Sequence, residues 1–396
     1  MKPIHAGFCN PSGEPDSLEP TRRIPLRLSP AHLEGHLHGI GATRSGKTKW
    51  LEYFCRGLYK QQLGFTILEP QGELSRSLRS YFAYKMPRRR VIYLDPSDSE
   101  TIIPFNPFRS LERKAAEDYT SYHARVSVRT EKQCESILRV WGATNTDETP
   151  RLGRWLFCVL YPVALGITTL RDVYRAFSLT EKDYRTFIID ALEGHPVIQA
   201  EWRDLNATKN ITQFTAQIES IKNRFIRFVS NPHIQRLMSI SDVGIDMAEI
   251  LEARALLIVN LQESDVLSRQ DANLLGTLII NELWTSARQR SMEAEAWRRP
   301  YFLLIDEAER FVTPDIRSIL DMGSGKGLRL GLFHQHLAQF KAAADLQTYH
   351  SVMTNAKTKL VFGGLGRDDA RTMAQEIFAG QIQYDEIKYI LEQTKF

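Results

Sequence analysis

One eight-residue stretch decides the fold: Gly41-Ala42-Thr43-Arg44-Ser45-Gly46-Lys47-Thr48. It fits the pattern G-x-x-x-x-G-K-[ST] at every fixed position. The apolar run His36–Ile40 before it predicts a strand, and the periodicity of Lys47–Gln61 after it predicts a helix. Glycines let backbone N–H groups approach phosphate oxygens closely, and a helix N-terminus adds a partial positive charge. The sequence therefore predicts a phosphate-binding loop between a strand and a helix.

Each part of this loop has an expected contact with bound ATP and Mg²⁺. Lys47 is expected to reach the β- and γ-phosphates, and the Thr48 hydroxyl to ligate magnesium. Backbone N–H groups of the preceding residues are expected to surround the phosphates. The predicted nucleotide-binding residues are Gly41, Ala42, Thr43, Arg44, Ser45, Gly46, Lys47 and Thr48.

Short apolar runs alternate with helix-length segments on both sides of a long helical stretch. This rhythm predicts an α/β fold, with a mainly parallel sheet interrupted by an all-α insertion domain. The helical stretch spans 111–235, where apolar residues recur at helical spacing in 131–141, 154–165 and 214–229. The predicted strands are 36–40, 64–68, 90–94, 255–259, 301–305, 328–333 and 359–362.

The predicted domains follow from this change of pattern. Residues 31–110 and 236–396 are expected to form the two parts of the α/β domain, with 111–235 between them. Residues 1–30 are rich in Pro, Ser and Glu and predict a loose lead-in.

Two carboxylates end an apolar strand in Leu303-Leu304-Ile305-Asp306-Glu307. Carboxylates avoid protein interiors unless they are paired or bind metal, and the carboxyl edge of a parallel sheet faces the ligand crevice. Asp306 is expected to hold magnesium, and Glu307 to act as general base on the attacking water. The alternative is an Asp-Glu pair that stabilises a following helix N-terminus. We expect Lys47 and Asp306 on neighbouring parallel strands, enclosing one Mg–nucleotide.

A further apolar strand runs into His334-Gln335-His336. A glutamine at such a strand end can sense the γ-phosphate. Gln335 is therefore a candidate catalytic residue, together with Lys47 and Glu307. Two histidines at i and i+2, without a third ligand nearby, are a weak metal pattern. Polar residues at a strand exit are the favoured interpretation of the histidines.

The amino-acid composition indicates the cellular compartment of the protein but does not identify its binding partner. The 51 basic and 47 acidic residues give a net charge of +4, too balanced to indicate a nucleic-acid-binding protein. Four cysteines (Cys9, Cys55, Cys134 and Cys158) form no C-x-x-C pair, which fits a reducing compartment. The longest apolar stretch, 155–167, is too short to span a bilayer, and the N-terminus lacks a signal-peptide core. A cytoplasmic protein without a membrane segment is the expectation.

The motifs resemble the HerA–FtsK superfamily, and within it the coupling-protein-like (TraG/TraD-type) DNA-transfer ATPases of conjugation and type IV secretion. The resemblance covers roughly residues 30–376 in order. It is carried by these stretches: 41–48, 65–74, 91–96, 104–107, Asn223-Arg224-Phe225, Asn231-Pro232, 255–261, 305–311, His334-Gln335, Gln339-Phe340, Asn355, Phe362 and Asp368-Asp369-Ala370.

This resemblance implies a RecA-like motor domain carrying an all-α domain. It further implies a homo-oligomer, usually a hexameric ring, through which DNA passes while ATP is hydrolysed at subunit boundaries. Carried over by position, Lys47 and Thr48 bind nucleotide and magnesium, Asp306 and Glu307 form the hydrolysis pair, and Gln335 is the sensor. A nuclease, a relaxase or a secretion component is a candidate protein partner.

Three departures from the family pattern stand out. Glu69 occupies a position where the family often has Asp, and we expect no counterpart in this sequence of the N-terminal membrane segment that secretion members typically have. Ser324 stands where the family commonly has an arginine that reaches the neighbouring subunit's γ-phosphate. Such an arginine is worth about three to five orders of magnitude in rate where it has been measured. Either another basic residue replaces it or a partner supplies the charge; the candidates are Lys326, Arg329 and Arg317.

DNA binding depends mainly on the resemblance. Arg88-Arg89-Arg90 is a basic cluster that also fits a solvated turn, and Lys222, Arg224 and Arg227 share a helix whose aromatic residues fit a core. Two functions remain open: a DNA-translocating ATPase and an ATP-gated adaptor with little turnover. A small-molecule kinase is disfavoured, because the phosphate loop and the acidic strand end are far apart in sequence.

Overall fold

The computed structural model describes residues 3–9, 24–85, 90–141, 150–192, 194–239, 244–290 and 299–378. The chain divides into two compact units. The first comprises Met1–Leu68 and Arg290–Phe396, and the second comprises Glu69–Gln289. The predicted phosphate loop, acidic strand end and sensor glutamine all belong to the first unit.

The first unit contains five parallel strands: β3 (Leu37–Ile40), β4 (Gly64–Glu69), β7 (Tyr301–Ile305), β8 (Leu328–His334) and β9 (Thr358–Val361). Their spatial order is β4-β7-β8-β3-β9. Its helices are α1 (Lys47–Lys60), α11 (Pro314–Met322), α12 (Leu337–Ala343), α13 (Leu346–Asn355) and α14 (Arg367–Ile377).

Strands β3, β4, β7 and β8 are apolar because they are covered on both faces, whereas β9 is partly exposed. Every residue of β7 is buried, and so is every residue of β8 except Arg329. Continuous burial of this kind is typical of parallel sheets that helices cover on both sides. It explains why the strands read as apolar runs instead of alternating patterns.

The N-terminal residues differ from the predicted loose lead-in. Strand β1 (Ile4–Cys9) pairs antiparallel with β2 (Ile24–Leu28). Ile4 is buried, and a Cβ at Gly57 of α1 would lie 2.6 Å from its Cγ2 atom. The strands form because an apolar anchor packs closely on α1, a tertiary contact that the Pro- and Ser-rich composition does not reveal.

The second unit contains β5 (Val91–Leu94) and β6 (Leu256–Asn260), which pair in parallel. Its first helices are α2 (Glu73–Lys85), α3 (Tyr119–Val140), α4 (Pro150–Ala164), α5 (Lys182–Ala191) and α6 (Pro196–Ala207). The others are α7 (Ile211–Ser230), α8 (Pro232–Ser239), α9 (Met247–Ala253) and α10 (Arg269–Gln289). Helices thus fill the stretch between β5 and β6, and the boundaries at 110 and 235 stay a prediction.

The α/β class predicted from the alternation of strands and helices is confirmed. Each predicted strand is present, with ends that differ by about one residue, and the pairings of these strands within each unit are parallel. Within the described residues, no helix combines the length and apolar character needed to cross a membrane. Cys55, Cys134 and Cys158 are buried free thiols.

Candidate nucleotide site

The carboxyl edge of the five-stranded sheet brings the predicted site residues together. Strand β3 leads into the loop 41–46, β7 ends just before Asp306, and β8 ends just before Gln335. One expectation is wrong: β3 and β7 are not neighbours, because β8 lies between them. The intervening strand places Gln335 between the phosphate loop and the acidic strand end.

The loop holds a conformation that its sequence favours. Gly46, just before α1, has φ of 97°, a left-handed conformation that glycine adopts without steric cost. A Cβ at Gly41 would collide with the Phe362 side chain, so glycine is needed there for close packing. Arg44 also has a positive φ, of 63°. The Ser45 hydroxyl is buried without a hydrogen-bond partner among the described residues, as expected at a site that a ligand completes.

Lys47 lies over this loop and is only 7% exposed. Its ammonium group donates hydrogen bonds to the carbonyl oxygens of Gly41 and, at 2.9 Å, Ala42. Burial lowers the pKa of Lys47, and the carboxylates of Asp306, Glu309 and Glu307 oppose that shift. The lysine and the acidic strand end therefore share one electrostatic environment, as a Mg–phosphate site requires.

The acidic pair is held by the backbone. Asp306 is 5% exposed, and its N–H donates to the Leu68 carbonyl oxygen at 3.1 Å. Its carboxylate accepts the Glu307 N–H at 3.1 Å. Glu307 has φ of 49°, and non-glycine residues in this left-handed region cluster at functional sites. The Arg310 guanidinium lies 3.6 Å from the Glu307 carboxylate and holds its direction.

Glu309 is a member of the site that the sequence reasoning missed. Burial raises the pKa of its carboxyl group, and its Oε2 atom has no hydrogen-bond partner among the described residues. Its only sequence signal was its place in Asp306-Glu307-Ala308-Glu309, which fits an acidic helix start equally well.

Gln335 contacts the phosphate loop directly. Its side-chain oxygen accepts a hydrogen bond from the Thr43 hydroxyl at 2.8 Å. Neither side chain is buried, so both are accessible from the edge of the sheet. A change at the phosphate loop can therefore pass to the end of β8 through one hydrogen bond.

A second side-chain contact joins the neighbouring strands β3 and β8. His38 of β3 and His334 of β8 approach at 2.6 Å between their Nε2 atoms. Burial lowers the pKa of both rings, to about 4 for His334, so both are neutral near pH 7. One ring donates and the other accepts, which explains His334 without a metal.

The amino edge of the same sheet carries the residues considered for a trans-acting charge. The hydroxyl of Ser324, at the position where the resemblance predicts an arginine, lies 3.3 Å from His36 Nε2. Arg329 donates to the Ser324 carbonyl oxygen at 2.6 Å, and Arg317 lies 3.7 Å from Asp321. The Lys326 ammonium group has no partner among the described residues.

Arg329 is the second residue of β8, and Gln335 directly follows its last residue, six positions further along the chain. At roughly 3.3 Å per residue, the two residues lie about 20 Å apart. The basic residues at the amino edge of the sheet thus lie at the opposite end of β8 from the phosphate loop of the same subunit.

Glu69 has a local structural role that accounts for its burial. Its carboxylate accepts hydrogen bonds from the Ser75 hydroxyl at 2.9 Å and from the Gln71 N–H at 2.8 Å. Burial raises its pKa, and these hydrogen bonds oppose the shift. The Glu69 side chain is longer than that of Asp and accepts hydrogen bonds from the turn that leads into α2. Glu in place of Asp is therefore compatible with this fold.

The predicted basic clusters are only partly described. Arg88 and Arg89 lie outside the described residues, and Arg90 pairs with Glu249 at 2.5 Å. On α7, Phe225 is buried in the core, as its spacing predicted. The side chains of Arg227 and Phe228 lie outside the described ones.

Comparisons with known proteins bear on the fold and on the family resemblance. Residues 300–386 match the family model described as the TraM recognition site of TraD and TraG. The conjugative coupling protein TrwBdeltaN70, in its unbound monoclinic form, is 17% identical with a TM-score of 0.60; the match covers 87% of this chain and 74% of that one. No curated protein matches the sequence.

Two further solved structures have the same fold. TrwB in complex with ADP and Mg²⁺ is 15% identical with a TM-score of 0.57, covering 84% of this chain and 71% of that one. VirB4 of Thermoanaerobacter pseudethanolicus is 12% identical with a TM-score of 0.50, covering 86% and 80%. The chain therefore has the RecA-like fold of these coupling-protein structures, and its predicted resemblance to the TraG/TraD type is confirmed over residues 300–386.

Proposed function

We propose that this protein is an ATP-driven, DNA-translocating motor of the coupling-protein type. One observation carries the proposal: Lys47, the Asp306–Glu307 pair and Gln335 converge at one edge of a RecA-like sheet. We propose ATP hydrolysis at the subunit interfaces of a hexameric ring, with DNA passing through it. We also propose that 31–110 and 236–396 form the motor domain and 111–235 its all-α domain.

The residues present fit a Mg–nucleotide. The Lys47 ammonium group is held by loop carbonyls, and an anion of higher charge density would replace them. Loop N–H groups and the N-terminus of α1 suit the phosphates, and TrwB, which has the same fold, was solved with ADP and Mg²⁺. Thr48 and Asp306 would hold magnesium, which neutralises charge on the transferred phosphoryl group.

Glu307 and Gln335 have distinct roles in this proposal. The left-handed backbone of Glu307 and the nearby Arg310 fix its carboxylate, which then orients and deprotonates the attacking water. Gln335, held by Thr43, detects whether the loop carries a γ-phosphate and passes the change to β8. Lys47 stays charged to stabilise the phosphates.

In a ring arrangement, a basic residue at the amino edge of the sheet can act on the nucleotide of a neighbouring subunit. A basic residue there lies too far along β8 to serve its own phosphate loop, so it acts on the neighbour's nucleotide. Among Lys326, Arg329 and Arg317, the contacts favour Lys326, because the two arginines are held by their own subunit. An ammonium group is a point charge and a weaker substitute for a planar guanidinium.

The decisive experiment measures ATP hydrolysis with no DNA, with single strands and with duplex, while light scattering records the oligomeric state. We expect hydrolysis that rises with DNA, and DNA binding that weakens steeply with salt because phosphate contacts release counterions. Lys47→Ala is the control that removes phosphate binding. DNA-independent hydrolysis by monomers would contradict the motor.

The second candidate is an ATP-gated adaptor for a relaxase, nuclease or other protein. Ser324 in place of an arginine favours it, because a site without a trans-acting arginine turns over slowly. The adaptor requires negligible hydrolysis with and without DNA, together with ATP-dependent capture of the protein partner. A relaxase pulldown with ATP, with ADP and with the Lys47→Ala variant separates the two functions.

A further inference from the structure

The second unit has a cavity of about 580 Å³ between helices α3 and α10. Its walls come from these two helices, the start of α9 and the segment around Arg109. All of its lining residues lie between 109 and 289, and none belongs to the candidate nucleotide site. The volume lies within the range of sites for small organic ligands. We call it the α3–α10 cavity.

Positive charge predominates in this cavity. Five basic side chains line it against two carboxylates, and both carboxylates are already in ion pairs: Asp246 with Arg109 at 2.6 Å, and Glu282 with Arg129 at 3.1 Å. The remaining basic residues of the lining are Arg125, Lys132 and Arg288. Arg125 pairs at 2.7 Å with Glu117, which is not in the lining. The cavity therefore has a net positive charge that suits an anion.

The lining also has an apolar wall and polar atoms without partners. Leu111, Ala124, Val128 and Ala248 supply the apolar wall. Among the described residues, Arg288 Nε and Glu282 Oε1 are buried with no hydrogen-bond partner. One is a donor and the other an acceptor, and buried groups of this kind are normally satisfied in a complete structure. A ligand with both donor and acceptor groups would satisfy them.

We propose that the α3–α10 cavity binds a nucleotide unit, with its phosphate on Arg125, Lys132 and Arg288 and its base against the apolar wall. A base offers the flat apolar face and the mixed donors and acceptors, and a phosphate offers the negative charge. The unit is either a free nucleotide or one residue of a single DNA strand, since the chemistry is the same. This inference does not depend on the motor function, because no residue of the phosphate loop takes part.

The test uses the full chain carrying Lys47→Ala, which removes binding at the phosphate loop. Calorimetry measures the affinity for deoxythymidine monophosphate, inorganic phosphate and a fifteen-residue oligothymidylate, at two salt concentrations. Arg288→Met and Lys132→Met each remove one charge, and Ala124→Trp fills the cavity from an exposed position. Arg203→Met, on the exposed face of α6, is the charge-matched control.

We expect each lining variant to weaken binding by about tenfold or more, and the control to match the parent. Binding of the monophosphate identifies a free nucleotide site, whereas binding of the strand alone identifies a strand contact; either supports the inference. Phosphate binding as tight as the monophosphate would reduce the site to a simple anion site and overturn it. Equal binding by parent and lining variants, or none by any of them, would also overturn it.

Discussion

The two ends of strand β8 have opposite characters. At its carboxyl end, Gln335 contacts the phosphate loop beside Lys47 and Asp306. At its amino end, Ser324 contacts a buried neutral histidine, His36, and Arg329 is held by a backbone carbonyl. The carboxyl end has the charged and polar groups of the candidate nucleotide site, whereas the amino end has Ser324 where the resemblance predicts an arginine.

Under the proposed function, the two ends of the strand meet separate requirements. Phosphate binding and water activation need groups within one subunit, for which Lys47, Asp306 and Glu307 are the candidates. Charge supplied to an adjacent subunit is a second requirement, for which Lys326 is the proposed source.

The largest effect is expected at the carboxyl end. Glu307→Gln keeps the size of the side chain but removes the base, so the hydrolysis rate should fall by about 10²–10⁴-fold while ATP still binds. Steady-state phosphate release and nucleotide binding are measured in parallel. Glu309→Gln is the matched control and should have a small effect, because burial already disfavours its charged form. Equal losses in both variants would contradict the assigned roles.

The buried histidines predict loss of stability in acid. Burial, then Arg329, lowers the pKa of His36 from 6.5 to about 4, and burial lowers that of His334 to about 4. The unfolded chain therefore binds these protons first, and stability falls as pH drops from about 6.5 to 4, by about 3 kcal/mol for each histidine.

Urea titrations across this pH range measure the free energy of unfolding. His36→Gln keeps an acceptor for the Leu330 N–H, which His36 Nδ1 accepts at 2.9 Å, but it does not titrate. Its pH slope should therefore be shallower than that of the parent. An unchanged slope would show that His36 does not contribute.

A moderate effect is expected at the amino end. Lys326→Ala should lower DNA-stimulated hydrolysis by about 10–100-fold if one charged contact to the neighbour's phosphate is lost. Arg317→Ala, whose side chain is held at 3.7 Å from Asp321, is the matched control and should change the rate little. Mixing Lys326→Ala with Lys47→Ala subunits should restore part of the activity, because some interfaces regain both groups. Absence of rescue would rule out action across the interface.

The smallest effect concerns the link between loop and sensor. Thr43→Ala and Gln335→Ala each break the 2.8 Å hydrogen bond, and the double variant should be little worse than either one. A double-mutant cycle on kcat should give a coupling of about 1 kcal/mol. Additive losses would mean that Gln335 acts without Thr43.

The sequence alone determined the class of fold and the local parts of the site. The loop 41–48 was predictable because each position has a local steric or chemical requirement, such as the left-handed backbone at Gly46. The strands were predictable because burial on both faces demands apolar runs. These properties depend on neighbours in sequence.

Only the tertiary structure decided which strands lie next to each other. The insertion of β8 between β3 and β7, the burial of Glu309 and the pairing of His38 with His334 depend on contacts across hundreds of residues. So does the anchoring of Ile4 on α1, which orders a segment that reads as loose. Apolar runs specify that a strand is buried but not its neighbour, because any buried strand satisfies the same pattern.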